Sequence, residues 1–158
     1  MSEKLLDQLE STLTANHLKL AAAESCTGGW IAKSITDKAG SSVWFDMAVV
    51  SYSNEAKTNI LKVSPDTLEE HGAVSEQTVI EMVEGLLEVS SADIGVAVSG
   101  IAGPGGGTED KPVGTVCFAW ALRGQAPRTA IQHFEGDREE VRRLSVECAL
   151  NGCLHQID

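Results

Sequence analysis

Short apolar runs alternate along this chain with segments of helical period, and that alternation constrains the fold more than any single residue does. His17 to Ala23 (HLKLAAA), Val43 to Tyr52 (VWFDMAVVSY) and Ile94 to Val98 (IGVAV) read as strands. Leu5, Leu6, Leu9 and Leu13 recur at helical spacing and predict a first helix over about residues 2–15. Trp30, Ile31, Ser34 and Ile35 predict a second helix running to about Lys38, ahead of a turn at Ala39-Gly40-Ser41-Ser42. Asn54 is placed to cap a short helix carrying Lys57, Ile60 and Leu61, and Ser75 to cap one with Val79, Met82, Val83 and Leu86 on one stripe. Val113 to Leu122 and Arg128 to Phe134 flank Arg123-Gly124-Gln125 as a hairpin. Asp137 with Glu140 three residues on forms a capping-box signature for a last helix with Val141, Leu144 and Cys148. Strands alternating with helices, then a hairpin, imply an α/β fold: a mixed β-sheet covered by helices on both faces. With 158 residues and no Pro-, Gly- or Ser-rich divider, residues 1–158 are expected to form a single domain.

Composition narrows the function classes. A net charge of −11 argues against nucleic acid as a main partner, because phosphate backbones need a basic surface. A small anionic ligand held by a few local donors remains compatible with it. No stretch reaches the roughly 18 apolar residues of a membrane span, and the start MSEKLLDQLE lacks an apolar signal core, so a cytoplasmic location is expected. Cys26, Cys117, Cys148 and Cys153 form no CxxC pair and no zinc-like spacing with histidine, which reads as reduced thiols. Aromatic residues make up 4%, so the core must rest on Ala, Val, Ile and Leu.

Four segments carry residues able to do chemistry. Glu24-Ser25-Cys26-Thr27-Gly28-Gly29 lies between a strand and a helix, where unpaired backbone N–H groups can hold an oxyanion beside Ser25. On the segment alone, Ser25 or Thr27 as a plain N-cap is the commoner outcome, and Cys26 is a rival nucleophile without an activating histidine. Lys57 falls in the first turn of its helix, where the helix dipole and partial burial both disfavour an ammonium ion; such a lysine can act as a general base, or simply be solvated. Ser99 to Gly107 is a glycine-rich loop leaving a strand; it fits neither GxGxxG nor the Walker pattern and suits either ligand wrapping or a surface turn. Arg138, Arg142 and Arg143 can clamp a phosphate, or pair with Glu139 and Glu147 one helical turn away.

Taken together, AESCTGGWIAKSITDKAGSS (23–42), VSYSNEAK (50–57), HGAVSEQ (71–77), VSGIAGPGGGTEDKPVGTV (98–116) and FEGDREEVRR (134–143) resemble the CinA C-terminal domain family. The blocks occur in family order and cover nearly the whole chain. The resemblance implies a three-layer α/β/α sandwich with no metal or cofactor, acting as a homodimer or higher homo-oligomer. It implies hydrolysis of nicotinamide mononucleotide to nicotinic acid mononucleotide and ammonia. By resemblance Ser25 is the nucleophile, Lys57 its base, and Ser42 a serine that relays the proton between them. Thr27, Gly28 and Gly29 would supply oxyanion donors. Tyr52, Ser99, Gly100 and Gly103 would line the substrate, and Arg138, with Arg142 as second candidate, would meet its phosphate. Two other readings keep the same loops: a non-catalytic paralogue that binds a pyridine nucleotide, and an amidase for another carboxamide.

Overall fold

The computed structural model describes residues 3–157. Its strands are β1 (Leu20–Glu24), β2 (Phe45–Val50), β3 (Ile94–Gly100), β4 (Thr115–Leu122) and β5 (Arg128–His133), joined in one sheet of order β2-β1-β3-β4-β5. β1 runs parallel to both β2 and β3, whereas β4 and β5 are antiparallel additions. The helices α1 (Glu3–Ala15), α2 (Trp30–Thr36) and α6 (Arg138–Ile157) pack on one face, and α3 (Asn54–Leu61), α4 (Pro65–His71) and α5 (Glu76–Val89) on the other. The expected three-layer sandwich around a mixed sheet is therefore the observed one. Among the described residues, no helix is long and apolar enough to cross a membrane.

The period-2 alternation of strands sorts large and small side chains onto opposite faces. Val96, Val98, Phe118 and Trp120 face α1, α2 and α6, while Ala21, Ala23, Ala97, Cys117, Ala119 and Ala121 face α5. Small residues let α5 sit low on the sheet. Gly85 carries the same logic outward, because a Cβ there would overlap the Leu61 carbonyl of α3. The core is mainly aliphatic, as composition requires, but Trp44 and Phe118 are wholly buried and anchor it.

Helix starts follow short polar side chains. The Ser75 hydroxyl accepts from the Thr78 amide, and the Asp137 carboxylate from the Glu140 amide, at the two caps expected from sequence. The cap of α3 is Ser53, whose hydroxyl accepts from the Ala56 amide, rather than Asn54, which is already helical. α4 is an additional helix, started by Ser64 with Pro65 in the first turn; it buries no residue fully and so shows no apolar stripe to read.

Parallel pairing of β1, β2 and β3 gathers their C-terminal ends along one edge of the sheet. Ser25 follows β1, Ser51 and Tyr52 follow β2, and Ser99 and Gly100 close β3. In open α/β sheets this edge is where ligands bind.

Candidate active site

Ser25 is held in place by its own backbone. Its amide donates to the Val98 carbonyl of β3 (3.0 Å), and its carbonyl accepts from the Gly28 amide (3.1 Å), closing a tight turn. Gly28 and Gly29 both have left-handed backbones, with φ of 59° and 97°, which a residue with a Cβ rarely adopts. Behind the turn, the wholly buried Glu24 carboxylate accepts from the amides of Ile31 (2.8 Å) and Ala32 (3.1 Å), pinning the start of α2 to the end of β1. Thr27 is also fully buried, and its side-chain oxygen has no hydrogen-bond partner among the described residues.

Lys57 enters the same place from α3. It is 1% exposed, and its Nζ lies 2.8 Å from the Ser25 Oγ, 2.7 Å from the Ser51 carbonyl and 3.2 Å from the Tyr52 carbonyl. Burial lowers its pKa to about 8 from the ordinary 10.5. Lys57 Nζ donates to all three oxygens; once the amine is uncharged, two N–H groups can stay on the carbonyls and its lone pair can accept the Ser25 hydroxyl proton. Cys26, the rival nucleophile, is buried and its thiol is pushed up to about 12, far from the thiolate it would need.

Ser25 and Lys57 lie in a cavity of ≈ 250 Å³ completed by Cys26, Tyr52, Ala73, Val74, Ser99, Gly100, Ala102 and Arg138. A Cβ on Gly100 would come within 2.7 Å of Val116 Cγ2, so glycine keeps this strand end close to its neighbour. Arg138 spans the rim, donating to the Gly103 carbonyl (2.7 Å) and the Tyr52 hydroxyl (3.2 Å). A larger groove of ≈ 480 Å³, lined by His71, Lys111 and His133, shares Val74 with this cavity. The paired hydroxyl and amine, rather than size, single out the smaller cavity.

Two expected site residues lie elsewhere. Ser42 sits in a 3-10 turn ahead of β2, whereas Ser25 follows β1; since the strands are parallel, the two serines lie at opposite ends of the sheet. Five strand residues, about 16 Å, separate those ends, and Lys57 meets Ser25 directly, so Ser42 relays no proton within this chain. Arg142 points to the other side of the nucleophile turn, donating to the Cys26 and Thr27 carbonyls (both 3.0 Å) and lying 5.3 Å from the Trp30 ring centre. Arg143 is taken up by Glu140 and Glu147. Of the three arginines, Arg138 faces the cavity. Gly28 also changes role, because its amide is spent inside the turn; the Cys26, Thr27 and Gly29 amides have no hydrogen-bond acceptor among the described residues, apart from the adjacent Cys26 thiol. Glu24, Ala73 and Val74 were not singled out from sequence. A carboxylate ending an apolar strand was the available signal for Glu24.

The chain is similar to known proteins over nearly its full length. The CinA C-terminal domain model matches residues 2–157. The chain is 51% identical to the nicotinamide-nucleotide amidohydrolase PncC of Escherichia coli K12 over 147 residues, covering 93% of this chain and 89% of that protein. It is 52% identical to PncC of Enterobacter agglomerans over 160 residues, covering 99% and 98%. The crystal structure of the competence/damage inducible protein CihA from Agrobacterium tumefaciens superposes with a TM-score of 0.95 at 40% identity, covering 99% of this chain and 95% of that one. With the model match, relatives and fold in agreement over nearly its full length, the chain belongs to the CinA C-terminal domain family.

Proposed function

We propose that this protein hydrolyses the carboxamide of nicotinamide mononucleotide, giving nicotinic acid mononucleotide and ammonia. The observation that carries the reading is the 2.8 Å contact between the buried Lys57 amine and the Ser25 hydroxyl, inside a cavity whose rim bears Arg138. The amidohydrolase names of relatives about half identical to the chain supply the substrate class.

In the first half-reaction the Lys57 amine takes the Ser25 proton while Oγ bonds to the carboxamide carbon. The carbonyl oxygen becomes an oxyanion, met by the unengaged amides of the nucleophile turn. As the C–N bond breaks, protonated Lys57 passes its proton to the departing nitrogen, which leaves as ammonia. In the second half-reaction Lys57 removes a proton from water, the resulting hydroxide attacks the ester, and the returning proton restores Ser25. Arg138 and Tyr52, at the open side, meet the phosphate. Ser99 and Gly100 also line the cavity.

A module that merely binds nucleotide gains nothing from burying an ammonium group, whereas a base that must be uncharged near neutral pH gains its function from that burial. The four cysteines are free thiols, and a reducing cytoplasmic location accounts for them. Ammonia release from nicotinamide mononucleotide, with free nicotinamide and glutamine as controls, tests the reading. Release from the nucleotide alone is expected. Turnover of either control in its place would assign a different carboxamide, and no release from any would leave a binding protein.

A further inference from the structure

We infer that Arg142 is a positioning residue that aims the Thr27 amide into the reaction cavity, and so acts on the oxyanion rather than on the substrate phosphate. The inference rests on the amidohydrolase reading above and adds to it which backbone donor meets the developing charge and what holds that donor in place.

The geometry is that of a single peptide unit. The Cys26–Thr27 bond is trans, so the Cys26 carbonyl and the Thr27 N–H point in opposite directions from one plane. Arg142 Nε donates to the Cys26 carbonyl at 3.0 Å, and Nη2 donates to the Thr27 carbonyl at 3.0 Å. The Trp30 ring, 5.3 Å away, holds the guanidinium in turn, and Gly28 leaves space beside it, since an added Cβ would sit 3.4 Å from Nη2. Arg142 lies with Gly28, Gly29, Trp30 and Lys33 in a separate depression, on the other side of the turn from the cavity containing Ser25 and Cys26. The Cys26 carbonyl is thus held on the Arg142 side, and the N–H of the same peptide points away from Arg142. Within the turn, Ser25 N–H is bound to the Val98 carbonyl and Gly28 N–H to the Ser25 carbonyl, whereas Thr27 N–H, like those of Cys26 (apart from its own thiol) and Gly29, has no acceptor among the described residues; of these three, Thr27 N–H belongs to the peptide whose carbonyl Arg142 Nε holds. A preorganised donor of this kind is strengthened by being unable to turn away. One ammonium group cannot span two carbonyls in a fixed fork, so lysine is no substitute for Arg142.

The test compares Arg142→Met and Arg142→Lys with wild type in ammonia release from nicotinamide mononucleotide and from its phosphate-free riboside. Labelling of Ser25 by a fluorophosphonate, followed by intact mass, is measured alongside, and thermal melts establish that each variant is folded. Arg142→Met is expected to lower kcat on both substrates by about 10–100-fold with KM nearly unchanged, and to slow labelling similarly. Arg142→Lys keeps the charge and most of the stem, serves as the second variant if Arg142→Met fails to fold, and is expected to lose about tenfold in kcat. A rise in KM confined to the phosphorylated substrate would overturn the inference in favour of a phosphate ligand. Wild-type kcat in either folded variant would overturn it outright. If wild type labels at Ser25 yet releases no ammonia from the nucleotide, the substrate reading fails while the labelling rates still decide the role of Arg142. Absence of labelling in wild type would remove the activated serine and this inference together.

Discussion

The Lys57 amine and the Ser25 hydroxyl are 32 positions apart in the chain and 2.8 Å apart in space. Parallel pairing produces the meeting: β1 delivers Ser25 and β2 delivers the turn into α3 at the same edge of the sheet. Neither residue could be placed so by a local turn. The carbonyls of Ser51 and Tyr52, left without strand partners where β2 ends, orient the amine. The sheet edge thus provides nucleophile, base and base-orienting groups from consecutive strands.

Replacing either member of the pair should abolish turnover without unfolding the chain. Ser25→Ala and Lys57→Ala are each expected to lower kcat by at least about 1,000-fold, since the two act as a unit. The double variant should be little worse than either single one. Steady-state ammonia release with purified folded variants checks this, and a multiplicative double loss would mean that the residues act independently.

The lowered Lys57 pKa sets two pH dependences of definite sign. Activity requires the unprotonated amine, so kcat/KM should rise with pH through a midpoint near 8. Stability responds over a different window. Between about 8 and 10.5 the unfolded chain keeps a proton that the folded chain has shed, so this group makes the fold more stable as pH rises there. Below about 8 both states are protonated and the full penalty, roughly 3 kcal/mol, persists. The melting temperature of wild type should therefore gain on that of Lys57→Met as pH increases from 8 to 10.5, and a constant difference would contradict the burial of a titrating amine.

Arg138 makes its side-chain hydrogen bonds to the Gly103 carbonyl and the Tyr52 hydroxyl, leaving its charge unneutralised by any carboxylate among the described residues. Such a group binds an anion without first breaking an ion pair. Arg138→Met is expected to raise KM for nicotinamide mononucleotide about tenfold or more with a smaller effect on kcat, and to leave KM for the riboside nearly unchanged. Tyr52→Phe should show a weaker version of the same split. Equal losses on both substrates would place Arg138 in the chemistry instead.

Much of this architecture was legible because local signals and global topology agree. Ser75 and Asp137 stand before apolar stripes and do cap helices, and the IGVAV run is the buried centre of β3. The α3 cap shifted by one residue because Ser53 and Asn54 are both competent caps, and only the chain's entry angle chooses between them. α4 has no buried residue, so period carried no trace of it, although Ser64-Pro65 marked its start. Within one chain Ser42 lies away from Ser25 for a topological reason: a turn preceding β2 must lie at the end of the sheet opposite to the loop following β1 when the two strands are parallel. Arg138 and Arg142 are four positions apart on one helix, and charge pattern cannot say that one faces the cavity while the other serves the turn behind it. Glu24 was passed over because its partners, the amides of Ile31 and Ala32, are contacts that no side-chain pattern displays.

Glu24 provides the sharpest test of how the nucleophile turn is supported. Its carboxylate is buried and spends both oxygens on adjacent α2 amides, so it acts as an acceptor twice. Glutamine has the same shape but one acceptor oxygen; its amide nitrogen would face an N–H donor and leave that donor unsatisfied in the interior. Leaving one buried N–H unpaired costs about 1–3 kcal/mol, which for a chain of this size lowers the melting temperature by roughly 3–10 °C. Because the strand end that loses its grip on α2 is the residue before Ser25, Glu24→Gln should also reduce kcat more than it raises KM. Glu24→Asp keeps two acceptors on a stem one methylene shorter and should fall between wild type and Gln in both properties. A Glu24→Gln protein with a lowered melting point but wild-type kcat would show that the turn holds its shape without the strand-to-helix tie, leaving Arg142 and the Val98 carbonyl as its supports.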